Sequence, residues 1–493
     1  ARSDKYHVKA IKPLPRRKLY EKVPLLDCFT APCKGGCPIH QDIPEYIELC
    51  RKGAYASALR LITEKNPLPF ITGTICAHNC MTKCMRNYYD EPVNIRATKL
   101  VAAERGYDDY MAKIKAPVPV TDGRKVAVIG GGPTGMAAAY FVGRAGIPVT
   151  IFERSGVLGG VVRQVIPAFR ISDDAIDHDV ALMFKMGVEV KLNTEAPSVA
   201  ELKAQGYTHI FFAVGAWKAG RLDIPGNVVP VIGWLKDMKA GKDVSLGHVA
   251  VVGGGNTAMD AARAALRAGA KSSTLVYRRT KKYMPADAEE LEMAIADGVE
   301  FLELVAPVEQ KDGKLVCEKM KLGDPDEKGR RKPVPTGEMV EIPCDTVVSA
   351  VGEKVESEVF TRNGITVDEK GIPDFKTNLE GVYAGGDAMR GPATVVEGIA
   401  DAQYFANAVI GEAHKFAIPG KAVATREEAI AKKGILCESA KCEGDRCLTC
   451  NVVCQVCADV CPNRANVVVL LPDGRPQILH VDRMCNECGN CAV

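Results

Sequence analysis

Residues 125–154 read KVAVIGGGPTGMAAAYFVGRAGIPVTIFER. An apolar run of strand type (125–129) enters a turn, Gly130-Gly131-Gly132-Pro133-Thr134-Gly135, in which Gly130, Gly132 and Gly135 fit G-x-G-x-x-G. The first glycine permits the tight turn, the second lets a pyrophosphate approach the backbone, and the third packs the following helix on the strand. The helix then offers the pyrophosphate free N–H groups and a favourable dipole. A second strand pattern ends at Glu153-Arg154, with Glu153 lying 23 residues after Gly130. A carboxylate there accepts hydrogen bonds from ribose hydroxyls. Strand, turn, helix, strand and terminal acid together predict a dinucleotide-binding unit.

The pattern recurs at 249–279, VAVVGGGNTAMDAARAALRAGAKSSTLVYRR. Gly253, Gly255, Asn256, Thr257 and Asp260 follow the strand, and Ala258 takes the third glycine position. At the end of the second strand Arg278 and Arg279 stand where the first unit has Glu153. Guanidinium groups bind a 2′-phosphate through paired, charge-assisted hydrogen bonds, whereas a carboxylate repels one. The first unit is thus expected to hold FAD and the second NADPH. Two such units in one chain is the pattern of a flavoprotein that also binds nicotinamide. Away from these turns, alternating strand and helix patterns over about 122–425 predict an α/β fold with parallel sheet.

A third stretch, LEGVYAGGDAMRGPATVVEGIADAQYFA (379–406), supports the flavin: Gly386-Asp387 follow a strand, and a helix begins near Thr394 and Val395. In flavoproteins with two dinucleotide units, such an Asp contacts the ribityl and phosphate region, and the helix points its N-terminus at the isoalloxazine ring. GVLGGVVRQVIPAFRIS (156–172) resembles a flavin-side loop, G-G-x-x-x-x-G-I-P-x-F-R; Gly160 and Arg163 fall in it, with Val165 where Gly is frequent. Gly215 and Gly352, each closing an A-V-G, are counted with the cofactor-binding residues.

The 493 residues imply several domains, and a net charge of +3 implies no strong field for nucleic acid or membrane. No apolar run is long enough to span a bilayer, and the start has no apolar signal core. Of the 19 cysteines, seven lie in residues 28–84 and ten in residues 437–493. Clustering of this kind without a secretory signal predicts metal or iron–sulfur ligation in a reducing, cytoplasmic compartment. Cys317 and Cys344 read as packed thiols.

On these motifs, residues ~20–425 resemble the FAD and NADPH module of the NADPH-dependent glutamate synthase small chain and of the front half of dihydropyrimidine dehydrogenase. The added tail resembles that of iron–sulfur flavoproteins assigned as selenate reductase subunits. The family's amino-terminal pattern is C-x2-C-x4-C-x3-C-P, then C-x3-C-x3-C. This chain has Cys28, Cys33 and Cys37-Pro38, then Cys76, Cys80 and Cys84, with Leu25 at the leading position and Lys99 where a Gln or Glu ligand would stand. The resemblance implies that Cys28, Cys33 and Cys84 serve one cluster and Cys37, Cys76 and Cys80 another, each short of one protein ligand. Six cysteines could otherwise rearrange around one cluster, and a zinc site is the competing reading.

In the tail, Cys454-x2-Cys457-x3-Cys461-Pro462 and Cys485-x2-Cys488-x2-Cys491 follow bacterial two-cluster ferredoxin spacing, in which the fourth Cys of each motif serves the other cluster. Cys461 is then expected with Cys485, Cys488 and Cys491. Cys450, one residue out of register and absorbed as a bulge, is expected with Cys454 and Cys457; Cys447 is the fallback, and Cys437 and Cys442 are left over. The fourth ligand of that set would fall two residues past Val493, and the chain lacks an initiator Met, so the sequence reads as a fragment.

The expected architecture is a helical iron–sulfur domain (1–115), an FAD domain (122–245 plus 360–425), an NADPH domain (246–359) and a truncated ferredoxin-like tail (435–493). The expected chemistry is oxidation of NADPH, with electrons passing through FAD and about three to four [4Fe–4S] clusters to another domain or a partner oxidoreductase of molybdenum or flavin type. No catalytic acid or base is assigned. The alternatives are a subunit of a bifurcating NADPH:ferredoxin transhydrogenase and a non-catalytic scaffold.

Overall fold

Val126–Ile129 is buried along its length, four apolar residues in a row, as suits the centre of a parallel sheet with helices on both faces. It pairs in parallel with Val149–Phe152 on one side and His209–Phe212 on the other. Glu189–Lys191 extends the sheet beyond the former and Val382–Ala384 beyond the latter. A second five-stranded parallel sheet repeats the plan around His248–Gly253, flanked by Ser272–Tyr277 and Thr346–Ala350, with Glu300–Glu303 and Val228–Pro230 outermost. Val382–Ala384 returns to the first sheet only after the second has been completed. A three-stranded antiparallel sheet, Val305–Lys311, Lys314–Pro325 and Arg331–Pro343, is attached to the second. Both glycine turns leave the carboxyl ends of central parallel strands, where open α/β sheets bind their ligands.

This computed structural model describes residues 31–244, 246–325, 331–411, 424–432, 435, 441–453, 456–470, 472, 476–486, 488 and 491. Cys28, Cys437 and Cys454 lie outside them. Among the described residues no helix is long and apolar enough to cross a membrane.

Ahead of the sheets stands a helical unit: Ile43–Arg51, Tyr55–Thr63, Pro69–Ile75 and the 19-residue helix Ile95–Lys113. The first two of these are separated at Gly53, whose φ of 73° is a left-handed conformation that glycine adopts without strain. The unit is not a separate body. Ile43, Tyr46 and Ile62 share one core with Val128, Tyr140 and Phe405 of the first sheet and its helices. Asp179, fully buried on the helix Asp173–Phe184, accepts from Phe70 N (3.1 Å) and Ile71 N (2.8 Å). These are first-turn N–H groups of Pro69–Ile75, which no carbonyl of that helix can satisfy.

The carboxy-terminal residues divide. Residues 443–453 pack on the helical unit: Arg446 Nη2 donates to Glu91 O (2.6 Å), Asn94 N to Glu443 Oε2 (3.0 Å) and Asn451 Nδ2 to Glu45 Oε1 (2.6 Å). Beyond them, Asn466–Leu470 and Pro476–His480 form an antiparallel hairpin.

Candidate cofactor and iron–sulfur sites

Gly130, Gly132, Pro133, Thr134, Glu153, Arg154, Gly160, Gly215, Asp387, Thr394 and Val395 line one cavity of about 480 Å³. All eleven are among the residues expected to bind a cofactor; Gly135, Arg163 and Gly386, expected with them, are not on the cavity wall. Gly130 has φ 103°, and a Cβ there would lie 2.4 Å from Ala213 O. A Cβ on Gly135 would lie 1.9 Å from Gly130 O, so the helix Pro133–Arg144 sits directly against the turn. On Gly132 the position is open: nothing comes nearer than Gly160 Cα at 3.9 Å. That open side faces the cavity wall and is the space a pyrophosphate would use.

Glu153 holds the turn. Its Oε2 accepts from Gly131 N and its Oε1 from Ser155 N, both at 2.7 Å. Each oxygen keeps further lone pairs for ribose hydroxyls. Across the cavity, Gly386 and Gly398 close on Thr134; a Cβ on either would meet Thr134 Oγ1, at 2.4 and 2.2 Å. This contact seats the Asp387 loop and the helix Val395–Ile410 on the first turn. Thr394 caps that helix in a reciprocal box with Glu397. Burial pushes the Asp387 carboxyl up to about 7, opposed by the hydrogen bond from Ala393 N (3.1 Å). Arg163 turns aside and pairs with Asp177. Trp217, which sequence reasoning missed, joins the cavity wall with the Arg154 guanidinium 5.5 Å from its ring centre. A cavity of this kind, a glycine cradle and a ribose acceptor fit FAD.

The second turn repeats the first. Gly253 and Gly254 are closed off by Ala350 O (2.3 Å) and the Tyr277 ring (2.4 Å), whereas a Cβ on Gly255 would meet nothing within 4 Å. Gly255 precedes the helix Asn256–Arg267, whose first turn carries Thr257. Asn256 Oδ1 accepts from Asp287 N (3.1 Å). Arg278 is exposed and Arg279 partly so. Burial raises the Tyr277 phenol, and the Arg279 and Arg278 guanidinium groups beside it act against this, so both cations stand at the end of the strand Ser272–Tyr277. Gly352, with φ 106°, lies beyond the neighbouring strand Thr346–Ala350. An open cradle with two arginines at the neighbouring strand end fits a 2′-phosphorylated nicotinamide dinucleotide.

Asp260 lies on the helix Asn256–Arg267, as its motif position suggested, with its carboxylate in an ion cluster. It is buried against Arg170 (2.8 Å), and Arg170 Nη2 also donates to Glu290 Oε1 (2.6 Å). This ion cluster joins the flavin-side loop to the second sheet. Val165, close by in sequence, packs into the core of the second sheet with Trp234 and Leu235.

The cysteines form two groups. Burial first, then the thiol of Cys37, push Cys80 up to about 12; Lys99 acts against this and Cys76 with it. Cys37, Cys76 and Cys80 all pack on one core, and Lys99, at the family's Gln/Glu position, is buried. The second group departs from expectation. Cys33 and Cys84 share a small cavity with Cys447 and Cys450. Cys450, expected with Cys454 and Cys457, comes to this cavity because residues 443–453 dock on the helical unit; Cys454 lies outside the described residues. In the rest of the tail, Cys461 Sγ accepts from Ala465 N at 3.1 Å. Slight desolvation raises its thiol, but surrounding backbone N–H groups from Asn463 to Asn466 outweigh it and hold the thiol below its usual range. Cys457, Cys485 and Cys488 are half-buried and Cys491 is exposed.

A cavity built from a glycine turn, an end-of-strand acid, and a glycine-aspartate loop set before a helix is the flavin site of two-dinucleotide reductases. The chain is a member of the pyridine nucleotide-disulphide oxidoreductase family. The family's model matches residues 124–402, and that of dihydropyrimidine dehydrogenase domain II, 4Fe-4S cluster, matches residues 19–109. FAD, a pyridine nucleotide and a 4Fe-4S cluster are the cofactors these matches imply. The oxidoreductase YgfK of Escherichia coli (strain K12) is 41% identical over 517 residues, covering 99% of this chain and 50% of that protein. The glutamate synthase [NADPH] small chain of the same organism is 30% identical, covering 78% of this chain and 89% of its own length. The chain thus belongs to the superfamily its sequence resembles, and it spans about half the length of the first relatives it matches. Mycobacterium tuberculosis FprA in complex with NADPH shares the fold, with TM-score 0.50, 21% identity and coverage of 58% of this chain and 84% of that one.

Proposed function

We propose that this chain is the NADPH-oxidising electron-transfer module of a larger oxidoreductase. FAD would take two electrons from NADPH as hydride and release them one at a time to iron–sulfur clusters, chemistry that belongs to the cofactors. The protein's part is to bind, orient and screen. Gly130, Gly132, Gly135 and Glu153 hold the adenosine and pyrophosphate of FAD. Asp387 and the N-terminus of Val395–Ile410 hold its other end. Gly253, Gly255, Arg278 and Arg279 hold NADPH. The cysteines hold about three to four clusters, a number that rests on the tail's ferredoxin spacing.

The observation that carries this reading is the shared cavity: eleven residues from four separated stretches meet on it. The helical unit shares a continuous core with the sheet bearing that cavity, so cysteines and flavin site belong to one packed body. The terminal acceptor would lie on a further domain or a partner oxidoreductase, which agrees with relatives about twice this length.

Anaerobic titration with pyridine nucleotide tests the proposal. NADPH should bleach the flavin absorbance at far lower concentration than NADH. A protein that purifies without flavin, or that NADH reduces as readily, refutes it.

A further inference from the structure

Cys33 and Cys84 lie in the amino-terminal helical unit, and Cys447 and Cys450 come more than 360 residues later (447 − 84 = 363). All four line one cavity. The docking that brings them together is specific. Asn451, next to Cys450, donates to Glu45 at 2.6 Å, and Arg446, next to Cys447, reaches Glu91 O at 2.6 Å. Arg86, almost fully buried, donates to Ile435 O at 2.8 Å. Cys447 and Leu448 are themselves buried in this contact.

Among the described residues no three His, Cys, Asp or Glu side chains converge as the ligands of a lone metal ion would. The four thiols line one small cavity whose other walls are mostly apolar: Ile43, Ile47, Val93, Ile95 and Leu448. Soft thiolates select iron–sulfur clusters and zinc, and the 4Fe-4S domain matched over residues 19–109, which holds Cys33 and Cys84, favours the cluster.

We infer that Cys33, Cys84, Cys447 and Cys450 together ligate one [4Fe–4S] cluster, a composite site shared by the amino-terminal unit and the carboxy-terminal segment. The inference rests on the iron–sulfur reading above. It withdraws Cys450 from the ferredoxin-type set, and it sets Cys447 and Cys450 beside Cys33 and Cys84 in place of Cys28, which the family resemblance had put with them and which lies outside the described residues. Each thiol releases its proton as it takes iron.

The test is a count of iron and acid-labile sulfide in the anaerobically purified full chain. Cys33→Ser, Cys447→Ser and Cys450→Ser should each lose about four iron per chain, one cluster's worth. The double variant Cys33→Ser/Cys447→Ser should lose no more than either alone, and Cys442→Ser should keep the parental content. Parental iron in Cys447→Ser and Cys450→Ser, or a doubled loss in the double variant, overturns the assignment. Retained flavin verifies that each variant folds. Where a variant loses flavin, alkylation of the unsubstituted protein decides. Cys33, Cys84 and Cys450 should resist iodoacetamide until iron is stripped and then react together; early reaction of Cys450 while Cys33 stays protected refutes the site. Failure of NADPH to bleach flavin in the unsubstituted protein would instead sink the broader function, whatever the iron count.

Discussion

Gly132 and Gly135 lie three residues apart and differ in what a methyl group would meet. Gly132 has ordinary φ (−74°) and open space beside it. Gly132→Ala should therefore fold normally and lose FAD, since the methyl fills the approach of the pyrophosphate; flavin-to-protein ratio at unchanged circular dichroism reads this out. Gly135→Ala drives a methyl into Gly130 O and should cost about 1–3 kcal/mol in stability, as overpacking does. Arg279→Leu should raise KM for NADPH about 10- to 100-fold, the value of a charged hydrogen bond, and leave KM for NADH and kcat nearly unchanged. These positions were legible in the sequence because their work is local: a turn, a strand end, a spacing. Asp260 was not, since a helix position beside the turn is equally compatible with facing the ligand or facing Arg170. Only the three-dimensional neighbour decides.

At the scale of elements, Pro69–Ile75 is a helix whose first N–H groups are satisfied by a different part of the chain. Asp179→Ala would leave Phe70 N and Ile71 N buried without acceptors. At roughly 1–3 kcal/mol for each such group, the variant should unfold at clearly lower denaturant concentration. Asp179→Asn keeps one acceptor oxygen and should suffer less. Burial pushes the Asp179 carboxyl well above the usual range. The group thus favours the folded state while protonated, and that contribution falls as pH rises through its folded value. The Asn variant should lack this slope. The sequence gives no hint of the pairing, because capping residues are recognised by nearness in sequence and this one is 108 residues away from Ile71. The two sheets, by contrast, could be expected from the duplicated strand–turn–helix pattern alone.

At the scale of the whole molecule, Arg170, Asp260, Glu290 and Arg263 form the latch between the flavin-side loop and the second sheet. Burial pushes Asp260 up to about 6, with Glu290 adding to the rise and Arg170 and Arg263 opposing it. Its folded value lies above the unfolded one near 4. The stability it contributes is therefore complete below about pH 4 and is lost as pH climbs through 6. Asp260→Asn should flatten the fall in denaturation midpoint over that window, followed by flavin fluorescence. The contact between the tail and the helical unit was not legible in the sequence for a similar reason of range. Cys450 fits ferredoxin spacing with one bulge, and nothing local shows that residues 443–453 adhere to a surface built from residues 31–95. That adhesion also has a place in time. A ribosome adding roughly 5–20 residues per second delivers Cys447 and Cys450 about 20–70 seconds after Cys84. Throughout that interval the nascent amino-terminal unit holds two thiols of an unfinished ligand set. The order of synthesis thus makes iron loading at this position a late event, in which the arrival of one segment both supplies the missing sulfurs and seals them from oxygen.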